Sequence, residues 1–382
     1  MSRTLRILFI TIILTFCAYE TDGKDGLSYK GISHRVTAEL HPAYNLLTHY
    51  FYRGNNPSGK VLGPSGSIHM KYSFGHNGTY QGVGLSVNDF RTSKVMGNPV
   101  ALYIFQGVRL ADLSPKWSFG YEWNLGFSYG WKQNDVINSK GNIYINVALP
   151  LTWRPSSAWE VHIGPEYTHF SNGDTCYPNG GANPVGFRLG ASRVFGQSND
   201  RSIGKDMFSC EPSLDGSGFM TRVHYDILLY GAWRAGRIID GYNFNLINKP
   251  FALGGVNINP KYRINRYFSA GPSLDVQTDT SSGLYAPVVS EETDELISYS
   301  KPSTWEQTSV GASMRGEIEM PFFSINIGLG YNILRNGTDV KRFYTTYNLK
   351  SFISDRIFIC MGYRLSAVQY THNLMFGLGV RL

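Results

Sequence analysis

The stretch Trp117 to Trp131, WSFGYEWNLGFSYGW, places a large apolar or aromatic residue at every odd position and Ser, Gly, Glu or Asn at every even one. Such unbroken two-residue periodicity describes a strand with one apolar and one polar face. Phe323, Ile325, Ile327, Leu329, Tyr331 and Ile333 repeat the pattern against Ser324, Asn326, Gly328, Gly330 and Asn332. Val256, Ile258, Pro260 and Tyr262 alternate with Asn257, Asn259, Lys261 and Arg263 in the same way. Strands of soluble sandwiches run to about 5–6 residues, whereas these reach the roughly 9–11 that a tilted strand needs to cross hydrocarbon. The aromatic ends Trp117 and Trp131 suit the two interfacial girdles of a membrane barrel.

The connections point the same way. Tight turns around Pro155-Ser156-Ser157, Asn265-Arg266, Met320-Pro321 and Ser354-Asp355 alternate with long polar loops at Asn45–Leu62, Lys132–Asn142 and Thr278–Thr304. Short periplasmic turns and longer outer loops are the outer-membrane arrangement. The end of the chain, NLMFGLGVRL, alternates too and resembles the terminal strand read by barrel-assembly machinery, with Leu382 in place of the usual Phe. The expected fold is therefore an all-β, antiparallel outer-membrane barrel of about 14–16 strands in total. Eight precede and eight follow a polar linker; one large barrel, or a smaller barrel with a second sheet or barrel appended, both fit.

At the N-terminus, Arg3 and Arg6 precede an apolar run from Ile7 to Phe16, the form of a secretory signal peptide, assigned to residues 1–18. The remaining divisions are residues 27–196 (first strand set), 197–218 (linker) and 219–382 (second strand set). After the signal no run of about 18 apolar residues occurs, so no helix is expected to cross the bilayer. With Cys17 in the signal, Cys176, Cys210 and Cys360 remain, an odd number that argues against a disulfide framework. Cys176 and Cys210 are expected on opposite sides of the membrane and unpaired. The net charge of +7 carries no basic block, so nucleic acid is not an expected partner.

His169 and Ser171 continue the odd, lipid-facing row of the strand Ala158–Ser171, while Glu166 falls on the other face. Side chains two apart in a strand share a face, so the imidazole can reach the hydroxyl, and an adjacent base is what makes a serine nucleophilic. His162 belongs to the inward row and is expected to pack or hydrogen-bond there.

The segment His169-Phe170-Ser171-Asn172-Gly173, with Pro178-Asn179, Gly181, Asn183, Gly186, Arg188 and Gly190 after it, resembles the PagL-type lipid A 3-O-deacylases, specifically their longer relatives from Bacteroidetes, the acyloxyacyl hydrolases. Tyr121–Trp131, Gln81-Gly82-Val83-Gly84 and Gly97-Asn98-Pro99-Val100 are similar to the same relatives. The likeness to the core family covers residues 30–196, making the first eight strands PagL-like.

The resemblance implies an enzyme of the cell outer membrane, a serine-type carboxylic ester hydrolase acting on lipid A of lipopolysaccharide. It gives Ser171 the role of nucleophile and His169 that of general base, with Asn172 and Asn179 helping to stabilise the oxyanion. No metal and no cofactor is implied. Its orienting acid falls twelve residues after the serine, where this chain has Asn183, an amide that orients the ring without stabilising an imidazolium by charge. Asp174 and Glu166 are rival acids. The alternative reading is a non-catalytic outer-membrane barrel, a pore or scaffold keeping a degenerate motif. The sequence leaves a homo-oligomer open, as it does the acyl chain removed.

Overall fold

The computed structural model describes residues 32–46, 62–196, 222–284 and 300–382, apart from positions 77, 92, 135, 174, 177–178, 241–242, 266, 320–322, 336–340, 353, 355 and 367–369. The signal segment, the linker and Cys210 lie outside these residues. No helix among them is long and apolar enough to cross a membrane.

The first strand set comprises β1 (Ser33–Leu46), β2 (Gly63–His76), β3 (Thr79–Asp89), β4 (Gly97–Ser114), β5 (Trp117–Trp131), β6 (Gly141–Ala148), β7 (Leu151–Ser156), β8 (Trp159–Ser171) and β9 (Asn183–Phe195). The second comprises β10 (Val223–Asp240), β11 (Asn243–Arg263), β12 (Phe268–Asp279), β13 (Thr308–Glu319), β14 (Phe323–Arg335), β15 (Phe343–Phe352), β16 (Ile357–Ser366) and β17 (Tyr370–Arg381). In the second set each strand pairs antiparallel with the next and β17 returns to β10, closing an eight-stranded barrel. In the first set β4 pairs with β5 and β9 with β1, so the nine elements also form a ring. There β6 and β7 are successive pieces of one course, both lying between β5 and β8 and interrupted at Leu149-Pro150. Two small rings, not one large barrel, are thus the solution to the strand pattern.

Each ring buries its polar face inward. An eight-strand ring is just wide enough for side chains to fill, and the polar groups there must pair with one another. In the first ring Glu122 accepts from Lys71 Nζ at 2.6 Å and Arg188 at 2.5 Å. Glu39 accepts from Lys71 at 3.1 Å and is bonded to His162 Nε2 at 2.8 Å. In the second, Lys261, Lys350 and Arg381 surround Asp226 and Glu317 at 2.6–2.9 Å. The mouth of the first ring is closed by an apolar cluster that includes Phe90, Met96, Trp131, Ile137 and Phe170.

Trp131 departs from the expected girdle. Gly130, at φ 103°, breaks the strand's alternation; the next indole turns in, packs at 5.0 Å from the Phe170 ring and donates to Ser128 Oγ at 2.9 Å. Trp117 stays outside, half-exposed and stacked on Trp153.

The outward faces meet along a seam. Trp123 of β5 is buried there, its ring 5.7 Å from that of Phe323 and perpendicular to it. Towards the end bearing the short turns, Val108 packs with Tyr267, flanked by Leu110, Tyr121 and Ile318. Towards the end bearing the long loops, Ile143 and Ile145 share a cluster with Tyr363 and Leu374. At this end Gly173, φ +69°, sits so close to Leu374 that a β-carbon would overlap its side chain.

Replacing Arg188 by Met strips Glu122 and Glu166 of a buried cation; a loss of about 3–5 kcal/mol is expected, read from denaturant unfolding of the detergent-folded protein. Gly173→Ala should cost about 1–2 kcal/mol through its left-handed backbone. Pairing it with Leu374→Ala should relieve the steric part, so the double variant is less unstable than the two single losses added together.

Candidate active site

β8 keeps strict alternation up to its last turn, because every even side chain is committed to the interior: His162 bonds Glu39, Glu166 bonds His41 and Asn146, and Phe170 joins the apolar cap. That leaves His169 and Ser171 pointing outward, as their parity requires. Asn183, the first residue of β9, has outward parity too, and Asn45 Oδ1 anchors its backbone N–H at 2.7 Å.

The three side chains form a hydrogen-bonded row. His169 Nε2 lies 2.9 Å from Ser171 Oγ and its Nδ1 lies 2.7 Å from Asn183 Oδ1. An amide oxygen only accepts, so Nδ1 carries the proton and Nε2 is left to accept the hydroxyl of Ser171. Tyr167, two residues before the histidine on the same face, donates to the same Asn183 oxygen at 2.9 Å. Two donors converging on one acceptor hold the amide, and through it the imidazole. Nothing singled out Tyr167 beforehand, although its place in the outward row was a usable signal.

Glu166 lies across the barrel wall among His41, Asn146 and Arg188, and makes no part of this row; Asp174 is outside the described residues. Asn172 and Asn179 are brought together: the Asn172 N–H donates to Asn179 Oδ1 at 3.1 Å. The Asn172 amide group donates to the Cys176 carbonyl at 2.9 Å and its oxygen accepts from Thr175 N at 3.1 Å. This ties the turn after Ser171 into a compact loop. Cys176 Sγ donates to the Asn138 carbonyl at 3.1 Å, and Cys360 is a buried free thiol.

The outward row is not open to lipid all round, as a single barrel would have left it. Ser171 is only 6% exposed because the second barrel covers it. The Tyr363 hydroxyl lies 3.5 Å from Ser171 Oγ, and Leu374 lies against Gly173. On the other flank Tyr167, Val185 and Phe187 are exposed. The site is therefore a notch walled by protein on one side and opening on the other onto an apolar surface.

Inside the first ring Glu39, His41 and His69 bring three ligating atoms within 4.8 Å of one another. The imidazoles are already bonded, His41 to Glu39 and Glu166 and His69 to Ser67 and Tyr103. With Lys71 also on Glu39, these residues are satisfied as a structural ion-pair network and do not fit a metal.

Residues 223–382 match the family model PagL_C, described as acyloxyacyl hydrolase, C-terminal domain. That span is the second barrel, β10 to the last residue, whereas the His-x-Ser row stands in the first. No curated protein matches the chain. Among solved structures, 44% of the chain aligns with 100% of Neisserial surface protein A (NspA) at 12% identity and TM-score 0.31. The siderophore receptor PirA from Pseudomonas aeruginosa aligns with 94% of the chain over 81% of its own length, at 9% identity and TM-score 0.24. The NanC porin aligns with 90% of the chain over 98% of its own, at 10% identity and TM-score 0.15. With its strands closed into rings that are apolar outside and charged within, the chain is an outer-membrane β-barrel protein whose residues 223–382 match the model of the acyloxyacyl hydrolase C-terminal domain.

Proposed function

We propose that the protein removes an ester-linked acyl chain from lipid A, using Ser171 as nucleophile, His169 as general base and Asn183 to orient the imidazole. The observation that carries this reading is the hydrogen-bonded row Ser171–His169–Asn183 on the outward wall, at the long-loop end of the barrel. Lipopolysaccharide occupies the outer leaflet, and its ester groups lie where sugar meets hydrocarbon. A nucleophile that attacks them must stand outside the barrel at that level.

The chemistry runs in two displacements. Ser171 Oγ bonds to the acyl carbon as its proton passes to His169 Nε2; the carbon–oxygen bond to the sugar breaks, and the sugar oxygen takes the proton from His169. Water then attacks the acyl-enzyme with His169 again as base, releasing the fatty acid and returning the proton to Ser171. Asn183 accepts from Nδ1–H throughout, keeping the tautomer in which Nε2 is the base. Asn172 and Asn179 are assigned to the oxyanion; the Asn172 N–H reaches a substrate oxygen once its bond to Asn179 opens. The division of labour follows the two strand sets: residues 27–196 hold the nucleophile and base, residues 219–382 wall the site, residues 197–218 join them and residues 1–18 serve export.

A pore finds less support. A cavity among interior side chains of the first ring, lined by Arg35, Glu39, Lys71, Glu122 and Arg188, is about 50 Å³, and the interior of the second ring is crossed by the Asp226–Lys261–Glu317–Lys350–Arg381 network.

Lipid A from cells expressing the protein should lose the mass of one acyl chain, and Ser171→Ala should restore the full mass. In a serine protease an amide in the orienting position costs about 10⁴ in rate by selecting the wrong tautomer; here the Asn183 oxygen holds the working tautomer, so what is given up is the charge stabilisation of the imidazolium. Asn183→Asp is therefore expected to raise turnover about tenfold or more, and Asn183→Ala to lower it, both measured on purified lipopolysaccharide in detergent.

A further inference from the structure

We propose that Tyr363, from the second barrel, donates a hydrogen bond to the oxyanion formed at Ser171, so that the active site is assembled from both barrels. The inference rests on the hydrolase reading above and deepens it.

Tyr363 belongs to the outward row of β16, paired in register with Leu374 of β17. Both belong to the apolar cluster that includes Ile143 and Ile145 of the first ring, so the phenol is brought to the notch by the seam and by no local sequence relation. Its hydroxyl stands 3.5 Å from Ser171 Oγ across 192 positions of chain. The proton inventory fixes its direction. Asn183 accepts from His169 Nδ1–H, Ser171 donates to Nε2, and only the phenol has a proton left to offer to Oγ.

That contact is long for an O–H···O bond, which is where the chemistry enters. When Oγ bonds to the acyl carbon, the negative charge appears not on Oγ but on the oxygen two bonds away. A donor slightly too distant from Oγ in the resting state can lie at hydrogen-bond length from that oxygen. The other donors next to Ser171 are engaged: the Asn172 N–H by Asn179 and its amide group by the Cys176 carbonyl. Tyr363 already faces the reacting atom. It keeps its proton during the reaction, strengthening its hydrogen bond as the carbonyl bond opens and relaxing when the ester re-forms. The position matters only if the two barrels stay docked, and Leu374 against Gly173 holds the turn after Ser171 to the same wall.

The full chain, refolded in detergent, is assayed with p-nitrophenyl acyl esters and with purified lipopolysaccharide. Tyr363→Phe keeps the ring and removes the donor. It is expected to lower kcat about 10- to 100-fold with KM within about twofold, in keeping with loss of one oxyanion donor, and to slow labelling of Ser171 by a fluorophosphonate in parallel. Replacing Tyr363 by 3-fluorotyrosine, a more acidic donor of nearly the same shape, should raise kcat instead; it serves as the deciding measurement if the Phe variant does not fold. Wild-type kcat in Tyr363→Phe, or an unchanged rate with 3-fluorotyrosine, while Ser171→Ala is inactive, overturns the assignment of Tyr363 alone. Full hydrolysis by Ser171→Ala removes the hydrolase reading and this inference with it.

Discussion

Backbone N–H and C=O groups that cross hydrocarbon have no water to bond, so each strand must find both neighbours within the protein. A sheet meets that demand only by closing. Here the demand is met twice, through the β4–β5 and β9–β1 pairings in the first ring and β10–β17 in the second. Small rings follow, and small rings leave interiors that only side chains can fill. Polar side chains confined there must be paired, which is why Glu122 meets two cations and Asp226 and Glu317 share three.

Filled interiors displace function to the outside. A wall that faces lipid is a poor place for a serine and a histidine, since an unpaired polar group buried in apolar surroundings costs roughly 1–3 kcal/mol or more. Two arrangements remove that cost. Within the first ring, the row from Ser171 through His169 to Asn183 satisfies each side chain by its neighbour, with Tyr167 as a second donor to the amide. Across the seam, the second barrel replaces lipid with a tyrosine hydroxyl and a packed leucine. The outcome is a notch in which polar chemistry stands beside an exposed apolar flank, Tyr167, Val185 and Phe187, suited to a molecule that is polar at one end and a hydrocarbon chain at the other.

Much of this was legible from parity. Alternation along β8 put His169 and Ser171 outside and Glu166 inside, and the same phase in the next strand, with Val185, Phe187 and Leu189 outward, put Asn183 on the side of the histidine, so the candidate row could be drawn before any distance was known. Parity failed at Trp131 for a definite reason. It assumes extended backbone, and Gly130 adopts a positive φ that no side chain pattern announces, so the last aromatic of an apparently perfect strand turned into the barrel mouth. It was also silent about Tyr363, which looks like any other outward aromatic of a lipid-facing strand.

Periodicity is local: each residue's face is set by its neighbours in the chain, and so the amino-acid sequence alone determined the strands, their inward and outward rows and the side on which a serine and a histidine would emerge. Which strands would close on which, and which outward wall would meet lipid and which another barrel, depends on contacts between residues far apart in the chain, 192 positions in the case of Ser171 and Tyr363. Those were decided by closure and docking, because an apolar face offers the same pattern whether its partner is an acyl chain or a second ring of strands. Ser171 stands under Tyr363 for that reason, and only the tertiary structure brought the two together.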